Sequence, residues 1–387
     1  MDLAATTEKA IQLTLEFAER TGVTSERRSR RYLWTDAFAV FNLLGLSRRT
    51  GDPRWVELGL RLIDRVHHTL GRHRSDDSRA GWLSGLEGAA AEAHPTRGGL
   101  RIGKRLPERR ADEPFDERLE WDRDGQYFHY LTQWMHALDH ASRVTRQPRL
   151  NLWARELAAV AFAAFGVSAP AGPRRLVWKM SVDLTRPLVT SMGQHDPLGG
   201  LVACAQLRAT AELLRSSGEG PNLAKELAGF AAMLRPAEWE TADPLGLGGL
   251  LIDACRVSQL PEAGPFRPDE LVQVLLTAAL PGLRAYERHG ELEEPAARRL
   301  AFRELGLAIG LHAVSVIGAR LDERQGASGP LQALVAALRR HVPLGERIEA
   351  FWLLPAHREG EGWSSHRDIN EVMLATCLVP EGCLLLA

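Results

Sequence analysis

The sequence predicts an all-α fold: an (α/α)6 barrel of six helical hairpins, with a long loop insertion capping one rim. Three observations predict it. Apolar residues recur with the helical period along most of the chain, while Val/Ile/Thr alternation over five or more residues is hard to find. Two kinds of helix alternate. One kind is amphipathic with a charged face, as in Pro53–Leu70; the other is apolar nearly all round, as in Asp196–Leu207 and Asp243–Cys255, and so is buried on every side. Related openings also recur. Thr50-Gly-Asp-Pro-Arg-Trp matches Thr145-Arg-Gln-Pro-Arg-Leu, and Asp196-Pro-Leu-Gly matches Asp243-Pro-Leu-Gly, as stacked helical units would.

In chain order, the first helix spans roughly 5–21. The second starts near Asp36 in WTDAFAVFNLLGL, and the third runs from Pro53 to about Leu70. The spacing then predicts helices near 125–143, 149–165, 197–213, 222–235, 245–256, 267–287, 297–320, 329–341 and 368–379. Pro53 and Pro148 fall in first turns, where a missing N–H costs nothing. Asp196 and Asp243 read as N-caps followed by Pro at the first helical position. About twelve helices make six hairpins, with charged-face helices outside and Gly-rich helices inside, where small residues let backbones approach closely.

The whole chain, 1–387, reads as one toroid domain. Residues 72–121 form a connection far longer than an ordinary helix–helix link, and such connections are often lids or binding loops. Within it, Leu100-Arg-Ile-Gly-Lys-Arg-Leu reads as a short strand, and Trp82, Leu100, Ile102 and Trp121 favour order. Two further irregular connections are 169–195, holding WKMSVDLTRPLV, and 355–367, holding EGEGWSSH.

Composition narrows the function. Lys+Arg 48 against Asp+Glu 49 leaves a net charge of −1, which argues against a nucleic-acid binder or a polybasic membrane-surface protein. No apolar run reaches the roughly 18–20 residues of a membrane span. The start, MDLAATTEKAIQ, lacks the basic and apolar regions of a secretory signal. Four cysteines are too few for a disulfide framework and read as buried thiols in a reducing cytosol, so a cytoplasmic location is expected. His136 and His140 stand at i, i+4, but no HExxH surrounds them; no metal and no cofactor is predicted.

In a closed helical ring the inner helices aim their starts at one rim, where their dipoles favour anions. The residues at or just before those starts are Trp34, Asp36, the Glu120–Asp124 cluster, His195, Asp196, Asp243, Glu304, His366 and Asp368. Asp122 and Asp124 are hard to explain as caps, because three carboxylates in five residues repel one another. The helix that follows carries Tyr127, His129, Tyr130, Gln133, Trp134, His136 and His140, of which Tyr130, Gln133, Trp134 and His140 are costly to bury without partners. The loop around Trp178, Asp183 and Arg186, with Pro187 fixing the backbone, could line a cleft or simply hold an Asp183–Arg186 ion pair. Glu361, Trp363, His366 and Asp368 share a glycine-rich segment. Aromatic rings beside carboxylates suit a saccharide: sugar C–H faces pack on the rings, and sugar-ring chemistry needs an acid and a base.

The alternating helices, the WTD start at Trp34 and the Glu120-Trp-Asp-x-Asp-Gly entry resemble the six-hairpin glycosidases and the N-acylglucosamine 2-epimerase-like toroids. That resemblance implies a saccharide substrate at the inner-helix funnel. Carboxylates do the chemistry in the hydrolases, and histidines in the epimerases. The main expectation is a glycoside hydrolase with Asp124 or Asp122 facing Asp368 or Glu361. Trp34, Tyr127, Trp178 and Trp363 are its sugar platforms, with Asp36, His129, Arg186, His195 and His366 as further binding residues. The alternatives are an epimerase or isomerase using His195 and His366, or a non-catalytic toroid binding a saccharide or a protein.

Overall fold

The computed structural model describes residues 3–25, 30–168, 174–263, 266–323 and 329–386. The protein is all-α, 67% helix and 5% strand. In order, its elements are α1 (Leu3–Arg20), α2 (Leu33–Thr50), α3 (Arg54–Leu70), α4 (Gly88–Ala93), α5 (Glu117–Asp122), β1 (Gln126–Tyr127), α6 (Phe128–Thr145), α7 (Pro148–Phe165), β2 (Gly166–Ser168), β3 (Arg174–Leu176), β4 (Lys179–Met180) and β5 (Pro187–Val189). There follow α8 (Asp196–Leu213), α9 (Ala224–Met233), α10 (Pro244–Ser258), α11 (Pro268–His289), α12 (Ala301–Glu323), α13 (Gly329–Arg339), α14 (Val342–Leu353), α15 (Glu361–Ser364), α16 (Arg367–Leu378) and α17 (Glu381–Leu384). Contacts divide them into two compact units. One holds Ala18–Leu44 and Pro53–Leu234; the other holds Met1–Phe17, Gly45–Asp52 and Arg235–Leu386.

In the 53–234 unit, α6 ends at Arg146, whose left-handed backbone (φ 53°) turns the chain back into α7. α7 packs on both α6 and α8. The α6–α8 pairing has one register. Thr132 faces Gly199, Asp139 accepts from Gln206 Nε2 at 2.7 Å, and Arg143 Nε donates to Thr210 Oγ1 at 2.7 Å, all at an offset of 67 residues. A constant offset means parallel helices, so one hairpin leads to the next inner helix running the same way. This is the repeat from which the (α/α)6 class is built. Asp139 fixes it: its carboxylate also accepts from Asn151 of α7 at 2.9 Å and Thr210 at 3.0 Å, a buried network with every oxygen used.

The 235–386 unit repeats the plan. α10 and α12 lie side by side, with Gly248 against the Gly306 backbone and Leu251 against Gly310. A Cβ on Gly248 would meet Gly306 backbone atoms, so the close approach the sequence predicted for inner helices is real here. Glu304 anchors α12, accepting from Arg299 at 2.8 and 2.6 Å and from Trp352 Nε1 at 2.8 Å. By length and composition α12 could cross a membrane, and 72% of its most apolar stretch is buried inside the protein.

Several sequence expectations change. Helix α14 is absent from the predicted set; in the structure Pro343 stands in its first turn. Residues 100–106 form no strand. Their backbone groups bond singly to different segments: Arg101 N to Leu70 O, Ile102 N to Gly125 O, and the Ile102 carbonyl to Leu33 N. Asp183 pairs with Arg79 at 2.9 Å, not with Arg186, whose guanidinium donates to the Arg109 carbonyl. His136 Nδ1 meets Gln206 Oε1, and the His140 ring packs edge-on to Phe41.

Candidate active site at the paired starts of two inner helices

The site is built on α6 and α8 of the 53–234 unit. The α6–α8 offset that aligns Thr132 with Gly199 carries His129 to Asp196, one turn nearer the helix starts. Asp196 is the first residue of α8, after His195. It is 7% exposed, and its carboxylate accepts from Gly193 N at 3.0 Å. No cation pairs with it among the described residues. Burial therefore pushes its carboxyl up to about 7, despite the Gly193 hydrogen bond.

His129 is half-buried at the start of α6. Trp178 Nε1 donates to its Nδ1 at 3.1 Å, which leaves the proton on Nε2. Burial holds the ring neutral, with its pKa down to about 3. Rings surround it. Tyr127 stacks on both His129 and Trp178 at 5.6 and 5.5 Å, and Trp34 meets His129 edge-on at 5.8 Å. Tyr130 and Tyr32 share a 2.6 Å hydroxyl contact, and both hydroxyls are kept protonated by burial. Trp121, 48% exposed, lies edge-on to Trp178 at the outer side.

Trp34 supplies the most pointed observation. It is 8% exposed, and its indole N–H is buried without an acceptor among the described residues. Leaving such a donor unmade costs about 1–3 kcal/mol, which a ligand oxygen would recover.

β1, β4 and β5 form a small antiparallel sheet that presents Trp178, one residue before β4. Gly125 (φ +150°) lets the chain enter β1, since a Cβ there would sit 2.7 Å from the Met180 carbonyl oxygen. Beneath the sheet Lys179 is fully buried, and its ammonium donates at 2.8 Å to the Glu120 carboxylate, the Glu120 carbonyl and the Arg123 carbonyl.

The sequence-predicted residues separate accordingly. Trp34, His129 and Trp178 come together, and His195 adjoins Asp196. Tyr127 is 4% exposed and is covered by its neighbours, so it supports the wall without offering a face. Asp36 is 1% exposed, with Arg31 3.4 Å away, and is enclosed. Asp124 is fully buried: it takes Arg101 at 2.5 Å and Gly103 N at 2.9 Å, and Arg74 lies 3.8 Å away. A carboxylate with its lone pairs committed to arginine and backbone N–H groups is an anchor for the 101–104 segment, not an acid or base open to a sugar. Asp122 is exposed beside Trp121. Arg186 is turned to the Arg109 carbonyl.

In the 235–386 unit, Trp363 is 6% exposed and packs on Trp352 at 5.6 Å, so it is core, not a platform. Glu361, His366 and Asp368 are exposed there, His366 lying edge-on to Phe302. Asp196, which the sequence places at the rim as an N-cap, is not among the catalytic residues it predicts. In the structure α8 begins at Asp196 itself, one residue earlier than the sequence spacing predicts, and the carboxyl is buried without capping the helix.

No protein-family model matches this sequence, and no curated protein matches it. Among solved structures, the chain is similar to cellobiose 2-epimerase from Spirochaeta thermophila DSM 6192, with a TM-score of 0.44 and 11% identity over 86% of this chain and 85% of that one.

Proposed function

We propose that this protein is a carbohydrate-active enzyme that moves a proton on a sugar, as an epimerase or isomerase does, at the starts of α6 and α8. The observation that carries the reading is Asp196, a buried carboxyl with no cation paired to it among the described residues and a pKa pushed by burial up to about 7. A group poised there can take a proton and return it at neutral pH, and strongly shifted acids collect at catalytic sites. His129, neutral and with Nε2–H free of protein partners among the described residues, is placed to polarise a sugar carbonyl without charging. Asp196 would then remove the proton from the adjacent carbon and give it back. His195, beside it in the chain, serves as the second acid–base group when the proton returns to the opposite face. Trp34 N–H would hold a sugar oxygen, and the Trp178 ring would cover a C–H face.

The test is incubation with a panel of reducing sugars, cellobiose included, in D2O. Proton NMR reads deuterium at the carbon next to the carbonyl. Exchange in the wild type, lost in Asp196→Asn, supports the reading. A new reducing end without exchange assigns hydrolysis instead, and neither change across the panel overturns the proposal.

A further inference from the structure

One concave surface lies within the unit that holds residues 18–44 and 53–234, and neither Asp196 nor His129 lines it. It is a cleft of about 890 Å³ between the end of α3 and the segments 72–81 and 101–105. Eight cationic side chains line it, against two carboxylates. Apart from Arg31, these cations fall into two sets. Arg74, Arg79 and Arg101 are tied into the wall. Arg74 is bidentate on Asp76 at 2.7 Å, Arg79 holds Asp77 and Glu108, and Arg101 holds Asp124. Arg30, Arg72, Lys104 and Arg105 have no carboxylate partner among the described residues. Arg30 donates only to the Gly103 carbonyl at 3.2 Å; Arg72 lies over the Trp82 ring and Lys104 over the Tyr32 ring, at 5.4 and 5.5 Å.

The floor adds an independent sign. Arg31 is 2% exposed and lines the cleft. Its Nη2 donates to the Thr21 carbonyl at 2.7 Å, while Nε and Nη1 make no hydrogen bond among the described residues; Nη1 lies 3.4 Å from Asp36, an ion pair. A buried guanidinium whose ion pair with Asp36 is 3.4 Å long, beside four cations without carboxylate partners among the described residues, leaves an excess of positive charge along the cleft. Burial first, then Arg105, lowers the Arg30 pKa, and burial lowers that of Lys104, against the opposing pull of Asp122 and Asp124.

We propose that this cleft binds a small tetrahedral oxyanion, phosphate or sulfate, either free or as an ester. Planar guanidinium forks match tetrahedral oxyanions two oxygens at a time. The volume suits a small molecule, and the walls are fixed by Arg–Asp pairs. A nucleic acid or sulfated polymer needs an extended basic face, which a chain of net charge −1 does not suggest. The proposal stands whether or not the aromatic wall takes a sugar.

The test is calorimetric titration of the full chain with inorganic phosphate, inorganic sulfate and glucose 6-phosphate, with glucose as control. The variants are Arg72→Gln and Arg105→Gln, which lie on exposed side chains without carboxylate partners, and their melting curves confirm folding. Saturable binding that weakens about tenfold in each variant is expected. Tighter binding of the ester than of either ion assigns the ester, and equal binding assigns the free ion. No saturable binding at about 10 mM, binding unchanged in both variants, or binding of heparin or a DNA oligomer alone would overturn the proposal.

Discussion

Replacing Asp196 by Asn isolates the charge that the site holds back. In the folded protein this carboxyl keeps its proton up to about pH 7, whereas its ordinary value is 3.8. Between those limits the folded state binds more protons than the unfolded state. The stability contributed by Asp196 is therefore fully present below about pH 4, declines as pH rises, and is exhausted above about pH 7. The gap is worth roughly 4 kcal/mol at most, at about 1.36 kcal/mol for each pH unit. Asn keeps the shape and can still accept from Gly193 N, but carries no proton to lose. Urea unfolding of both proteins across pH 4 to 8 reads the difference, and all other titrating groups cancel. Relative to wild type, the Asn variant should gain stability steadily with pH, by up to ~4 kcal/mol at the alkaline end. A difference that stays flat across the range would refute the argument, since Asp196 would then be ionised in the folded protein like any surface acid.

Other consequences follow from the same geometry. Asp124→Ala should destabilise the 53–234 unit by about 3–5 kcal/mol, because it strands the Arg101 guanidinium in a buried position; a loss under about 1 kcal/mol in a denaturant titration would contradict the anchor role. Trp178→Phe removes the donor to His129 Nδ1, and nitrogen-15 NMR should show the ring proton redistributing between its two nitrogens. Unchanged ring nitrogen shifts would count against a tautomer fixed by the indole. Gly248→Ala should lower the melting temperature through an overpacking cost of about 1–3 kcal/mol, because the added methyl meets the Gly306 backbone. A melt identical to wild type would mean that α10 and α12 separate more easily than their packing implies.

How far the sequence reaches is clearest at its two Asp-Pro-Leu-Gly segments. Helical periodicity placed most of the long helices correctly, because apolar spacing is a direct imprint of burial. The same tetrapeptide, though, does two jobs. Asp243 is an N-cap, accepting from Gly246 N at 2.9 Å and pairing with Arg303. Asp196 lies inside the first turn, reaches back to Gly193 and pairs with no cation among the described residues. Nothing in the four residues separates these fates; partners distant in sequence do. Asp124 carries the same lesson. Its place in a cluster of acids suggested chemistry, while Arg101, 23 positions earlier, had already claimed it. The aromatic wall was legible as residue types, Trp34, His129 and Trp178, but the tautomer of His129 depends on a contact across 49 positions.

The most direct measurement is a carbon-13 NMR titration of aspartate carboxyls, with the Asp196 resonance assigned by its loss in Asp196→Asn. The account predicts a midpoint near 7 in the free protein that moves when a bound sugar is added. A midpoint near 4, unmoved by any sugar, would contradict it.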